Sequence, residues 1–432
     1  MKNEKNKSLI IYELNEIPKK VLEHFIYKYP RSNLAKLCIK NGYSETFASD
    51  SGELHPWSSW PTFHRGVNSQ LHKIKFLNQD ISNADKFPPI WQTLANNGLS
   101  IGIFGSLQSF PPFLHENVKF FLPDTFAPYP DAYPKKLEDF QSFNLSLTMR
   151  NKAHPRGIEN QDIKKFLKLV FSGVFSLKTI IKIFVQILLE KLNQKYKTRR
   201  SLIQPILGFD IYIKLLKKHK PKFSTFFSNH VAGVMHRYWK DSFPQDFGNQ
   251  IHNKRNIFNK LTLDLALNIA DYQVGKLLDF QNQRGGRVWV VSALGQEAID
   301  WGDYIPEITL DSENDFLMKL DLNKSNYKFL PSMHPDINIE CKSKLSLNYL
   351  RKSLSSLTDT ENSKLFHERY EPVFNTINFT INSTKILAKT KKVKFNNLTH
   401  KLSDFGLCFV KREIGTGYHT AKGIFISNSR SD

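Results

Sequence analysis

The sequence predicts an α/β fold with a mostly parallel central sheet flanked by helices, carrying a helical insertion and a C-terminal cap. Two observations lead to that expectation. Short apolar runs alternate with stretches of helical period along most of the 432 residues, as strands buried on both faces alternate with helices in α/β proteins. Several runs also meet polar residues at their C-terminal ends, where open α/β sheets bind ligands. The expected organisation is a core over 8–150 and 206–312, a basic helical insertion over 151–205, a cap over 313–410 and a final core strand within 411–432.

The elements follow in order. Ser8 to Leu14 is a short apolar run that reads as a buried strand. Residues 18–41 read as helical, with Val21, Leu22, Phe25, Ile26, Leu34, Leu37 and Ile39 as apolar positions. Phe87 to Gly98 reads as a helix opened by Pro88-Pro89 and closed by Asn97-Gly98, and Ser100 to Gly105 as a strand. Within 160–200, Phe166, Val174, Leu177, Ile181, Phe184, Leu188 and Leu192 recur at helical spacing among many lysines. Such a helix either covers a sheet edge or an oligomer contact through its apolar stripe, or docks on anionic lipid. Phe223 to Ser228 reads as a strand, Thr262 to Gln281 as a helix, and Arg287 to Ser292 as a strand after Gly285-Gly286. Residues 313–400 are rich in Asn, Lys and Ser, weakly patterned, and read as an insertion or cap.

Composition narrows the function classes. Hydrophobic residues are 40% and aromatic residues 13%, which excludes a disordered chain. Cys38, Cys341 and Cys408 are widely spaced and odd in number, which excludes a disulfide scaffold and a Cys-rich zinc module and favours a reducing compartment. Lys and Arg number 61 against 40 Asp and Glu, a net charge of +21. That excess reflects either a lysine-rich composition or an anionic partner, a membrane surface or a phosphorylated substrate. Nucleic acid ranks last, because no zinc finger, RNA-binding aromatic signature or dense Arg cluster is present. With no signal-type apolar region and no run of 18 uncharged apolar residues, the expected location is the cytoplasm, peripheral at the inner membrane surface if the basic helix docks.

Four segments carry candidate chemistry. In Tyr12-Glu13-Leu14-Asn15-Glu16 a carboxylate follows a buried strand, so Glu13 is either paired or binds a cation. The segment from Glu53 to Gly66 gathers His55, Ser58, Ser59, Trp60, Thr62 and His64. A hydroxyl at a helix N-terminus is placed to attack phosphorus or sulfur, since backbone N–H groups stabilise the developing anion; the structural alternative is Ser as a cap and Trp as core. Ser228-Asn229-His230 ends a strand, and His236 follows, which makes the two histidines candidate metal ligands. His419 lies in a Gly-rich turn before the last strand.

In this order the segments resemble the alkaline phosphatase superfamily, and within it the type I phosphodiesterase/nucleotide pyrophosphatase branch. Leu9 to Glu13 looks like the first strand ending in an acidic metal ligand, with Glu for Asp. Trp60-Pro61-Thr62 through Gly66 to His72-Lys73-Ile74 is similar to the segment after the nucleophile, and Trp91 to Gly98 to a Trp-x-x-Leu-x-x-x-Gly helix. Phe223 to Trp239 resembles the strand and Asp-x-x-x-His motif, Val290 to Gly295 the Val-x-Ser-Asp-His-Gly motif, and Tyr418 to Gly423 the final His ligand. The resemblance implies an alkaline phosphatase-like fold, a Ser nucleophile (Ser59, or Ser58) and two divalent cations, usually zinc.

Three ligand positions of that pattern are changed. Ala293-Leu294 replaces the Asp-His pair, and Ala232 the Asp four residues before His236. One zinc site of His230, His236 and His419 is therefore the expectation, with Glu13 on a second cation or acting as a base. His55, Trp60, Thr62, His64 and Asn229 are the expected substrate contacts. The function expected is a hydrolase or transferase acting on a phosphate or sulfate ester of a small molecule, glycan or lipid. The alternative is an inactive member that binds an anionic glycan or lipid intermediate.

Overall fold

The computed structural model describes residues 8–50, 52–149, 160–248, 256–302, 305–333, 335–410 and 415–429. Residues 151–159 of the expected insertion lie outside the described residues.

The chain is a mixed α/β protein built on a mostly parallel seven-stranded sheet, as the sequence predicts. Its strands are β1 (Leu9–Leu14), β2 (Ser44–Phe47), β3 (Ile101–Phe104), β4 (Val118–Leu122), β5 (Phe223–Ser228), β6 (Arg287–Val291) and the C-terminal strand Lys422–Ser427. The order is β2, Lys422–Ser427, β6, β1, β5, β3, β4. β1 pairs in parallel with both β5 and β6, so it is the central strand. Lys422–Ser427 runs antiparallel to β6 and to β2.

Side chains alternate across a strand. Ile10, Tyr12 and Leu14 of β1 enter one core and Ile11 enters another on the opposite face, with Trp91, Ile101 and Phe121. Both faces are covered, so β1 reads as a continuous apolar run.

The helices are α1 (Lys19–Lys28), α2 (Asn33–Asn41), α3 (Pro56–Arg65), α4 (Ser69–His72), α5 (Ile90–Asn96), α6 (Glu138–Met149), α7 (Asn160–Phe171), α8 (Leu177–Leu192), α9 (Ile203–His219), α10 (His230–Ser242) and α11 (Ile257–Asn282). The single helix expected over 18–41 is two. Pro30 cannot continue α1, and Ser32 starts α2 by accepting a hydrogen bond from the Ala35 amide at 3.1 Å. The helix expected from Thr262 begins at Ile257, capped by Asn256.

After β6 come β7 (Gly295–Ala298) and a C-terminal unit with its own core, which includes Ile308, Phe316, Ile339, Leu350, Phe379 and Phe405. Its four-stranded antiparallel sheet is more regular than the weak sequence pattern of 313–400 suggests. The strand Gly417–Thr420 then returns antiparallel to β7.

Candidate functional site

β1 decides what its two carboxylates do. Glu13 shares the strand face of Ile11 and points into the layer between the sheet and α3. There it is fully buried, and one of its oxygens lies 2.8 Å from His64 Nε2. Glu16 lies past the strand end, after Asn15, with a left-handed backbone at φ 61°. Non-glycine residues take that conformation at a cost, which the surrounding contacts must offset.

At this turn Glu16 meets two histidines. One carboxylate oxygen lies 2.9 Å from His236 Nε2 and 3.5 Å from His419 Nε2. One donor atom from each of Glu16, His236 and His419 falls within 4.8 Å of the others. Neighbours hold the arrangement. Asn15 Nδ2 donates to Glu16 Oε1 at 2.7 Å and to Asn229 Oδ1 at 2.7 Å, and Trp60 Nε1 donates to Asn15 Oδ1 at 2.7 Å. Gln296 Nε2 donates to the other Glu16 oxygen and to the Ala232 carbonyl. His236 Nδ1 lies 2.8 Å from the Gly417 carbonyl, so it carries a proton and donates.

Burial alone would push the Glu16 carboxyl up, but the charges of His419 and His236, with their hydrogen bonds, hold it well below the usual carboxylate range. Burial would lower His236, and the Glu16 carboxylate raises it above its ordinary value. Glu16 is thus a buried carboxylate held as the anion by the two imidazoles.

A second group of side chains borders the cluster. The His55 ring centroid lies 5.5 Å from that of His419. Arg369, from the C-terminal unit, donates through Nη2 to Glu53 and to His55 Nε2, the latter at 3.0 Å, and through Nη1 to Asp336 at 2.6 Å. Tyr418 Oη donates to Glu53 as well. The His55 ring beside it, with Arg369 and Tyr418 donating to it, holds the Glu53 carboxyl far below its usual range. Since His55 Nε2 accepts from Arg369, Nδ1 carries the proton, and that buried N–H has no partner among the described residues.

A divalent cation is what the family resemblance implies, and the residues fit one. With Nδ1 donating to the Gly417 carbonyl, His236 turns its Nε2 toward a buried carboxylate and a second imidazole, which completes a three-donor set. They do not fit two. Ala293 and Leu294 are buried in an apolar cluster with Trp60 and Leu107, and Glu13 is held by His64.

Several expectations are corrected. His230 is not part of the cluster: its Nδ1 lies 2.8 Å from Ser228 Oγ and its Nε2 2.9 Å from the Ala266 carbonyl, so both ring nitrogens are spent in the core. Glu13, expected on a cation, has the paired alternative. His64 is its partner rather than a substrate contact, and Trp60, fully buried, orients Asn15. Thr62 donates to Asp50 at 2.6 Å and accepts from His72 at 2.9 Å, which ties α3 to its flanking loops. Asn229 accepts from Asn15. Ser58 Oγ donates to the His55 carbonyl at 3.1 Å, while Ser59 Oγ is buried without a partner.

The residues missed were Glu16, Asn15, Gln296, Glu53 and Arg369. Glu16 stands in the same acidic segment as Glu13, and its signal was a carboxylate past the strand end rather than inside it. Arg369 had no sequence signal, because it reaches the site from a different sheet.

No family model matches the sequence, and no curated protein does. Solved structures similar in fold include phosphonoacetate hydrolase from Sinorhizobium meliloti in complex with phosphonoformate. Its TM-score is 0.42 at 12% identity, covering 99% of this chain and 91% of that one. Murine ectonucleotide pyrophosphatase/phosphodiesterase 5 has a TM-score of 0.39 at 11% identity, covering 98% and 88%.

Proposed function

We propose that the chain is a hydrolase of phosphate esters that works with one divalent cation, held by Glu16, His236 and His419. The observation that carries this reading is that donor set, gathered at the C-terminal end of β1 from three distant segments. Two imidazoles and one carboxylate are the ligands of several catalytic zinc sites, which keep a fourth position open. Glu16 replaces the carboxylate that Ala232 lacks, entering from β1 instead of from α10. Bound there, the cation would polarise a phosphoryl oxygen.

The chain's own groups take the remaining roles. Asn15 and Gln296 orient Glu16, and the Gly417 carbonyl orients His236. Ser59, on the first turn of α3 with an unpartnered hydroxyl, is the proposed nucleophile; Ser58 spends its proton on a backbone carbonyl. His55 Nδ1–H is an uncharged hydrogen-bond donor for a developing oxyanion.

The test is elemental analysis of purified protein after zinc or manganese loading, beside Glu16→Gln and His236→Ala, with hydrolysis of aryl phosphodiesters measured in parallel. About one metal per chain, lost in both variants, is expected. A loaded wild-type chain without metal overturns the proposal. A second reading rests on Leu294, fully buried where the resemblance places a metal-binding pair. In that reading the site binds an anionic glycan or lipid phosphate without turnover, and stoichiometric metal with ligand binding but no product would favour it.

A further inference from the structure

The function proposed above leaves the helical insertion unused. On α8, Leu177, Ile181, Phe184, Leu188 and Leu192 follow one another at three or four residues and form one stripe. That stripe faces outward: the five are 73%, 54%, 68%, 57% and 74% exposed, while Thr179 and Ile183 on the opposite side are buried. On α7, Ile163, Leu167 and Phe171 repeat the pattern, each exposed. An ordinary surface helix buries its apolar face, so a helix that shows a whole apolar stripe to solvent, as α8 does and α7 repeats, needs a partner.

We propose that this surface docks the protein on an anionic phospholipid membrane. Charge selects the partner. Segment 160–202 carries ten Lys and Arg against only Asp162 and Glu190, and Glu190 is already paired with Arg200. Lys178 and Lys191 lie on α8 with the stripe, and Lys195 and Lys197 follow it in the chain, all four exposed. A second copy placed patch to patch would bring these like charges together, whereas an anionic leaflet neutralises them while the apolar stripe enters the headgroup boundary. Among the described residues no helix is long and apolar enough to cross a membrane, so the contact is interfacial. The insertion is tied to the helix that carries His236 through Arg237, which donates to Ser201 Oγ at 3.2 Å.

The experiment is flotation of the full chain with vesicles of phosphatidylcholine alone and of phosphatidylcholine mixed with phosphatidylglycerol. The wild type is expected to float only with the mixed vesicles. Phe184→Ser/Leu188→Ser should weaken binding about tenfold or more, and Lys178→Glu/Lys191→Glu/Lys195→Glu by about a hundredfold or more. Circular dichroism melts establish that each variant folds, and Leu177→Ser/Leu192→Ser replaces the first variant if it does not. Failure of the wild type to float with mixed vesicles overturns the proposal. So does undiminished binding of the apolar variant, or a wild-type dimer in sedimentation that the variants convert to monomer without any vesicle binding.

Discussion

At the scale of single residues, the proposed chemistry rests on Glu16. It is a buried anion whose hydrogen-bond shell is built by Asn15 and Gln296. Outer partners of this kind typically tune metal affinity ten- to a hundredfold. Trp60→Phe removes the indole N–H that fixes Asn15, keeps most of the buried ring, and is expected to weaken zinc binding about tenfold in a competition titration. Unchanged affinity would separate Trp60 from the site. His230 has a different consequence. Burial pushes its imidazole down to about 4, against a hydrogen bond to the Ala266 carbonyl that raises it. The group is neutral in both states above about pH 6.5. Below that, the unfolded chain takes up a proton that the folded one refuses, so stability falls as pH drops from about 6.5 towards 4. The loss should reach about 2–3 kcal/mol in urea denaturation of metal-free protein. His230→Gln should flatten that slope, and an equally steep slope in the variant would remove His230 as its source.

At the scale of elements, the ladder between β7 and Gly417–Thr420 places His419 directly opposite Gln296. Both side chains then converge on Glu16. Two glycines permit the close approach of the segment from Ser292 to Gly295 to the strand Lys422–Ser427 that follows His419. A Cβ at Gly295 would lie 1.9 Å from the Lys422 carbonyl oxygen, and one at Gly423 would lie 2.2 Å from the Ser292 carbonyl oxygen. Backbone atoms cannot rotate away, so the strands would have to separate. Gly423→Ala is expected to cost about 3 kcal/mol in chemical denaturation and to reduce metal content by displacing His419. Retention of both stability and metal would show that the strands adjust without moving His419. The sequence did mark this region, as a His within a Gly-rich turn before a final strand. It could not mark the pairing with β7, because register depends on a strand more than a hundred residues away.

At the scale of the whole molecule, one arginine fastens the C-terminal unit over the site. Arg369 bridges Asp336 within its own unit and Glu53 and His55 of the core. Asn338 Nδ2 donating to the Leu77 carbonyl at 2.7 Å and Asn78 Nδ2 donating to the Pro331 carbonyl at 2.7 Å add to the joint. Arg369→Met leaves Asp336, 7% exposed, without its cation. Breaking a buried pair costs about 3–5 kcal/mol, and roughly 2 kcal/mol is expected here because Glu53 stays partly in water. Faster limited proteolysis within 305–410, with the core left intact, is the matching readout. A stability equal to wild type would mean that the two asparagine contacts suffice for the joint.

The α/β class and the parallel strands were legible because they depend on local alternation of apolar runs and helical periods. His236, His419 and the first turn of α3 were legible for the same reason, as polar residues punctuating that pattern. The sequence also placed a carboxylate pair after β1, but the choice between them belonged to the tertiary structure. The pleat sends Glu13 into the α3 layer, where His64 satisfies it, and only the turn beyond the strand lets Glu16 reach two histidines. The same limit hid Arg369, 316 residues from Glu53. Period and composition determine which face of an element is buried, while the meeting of distant side chains is decided only when the layers pack.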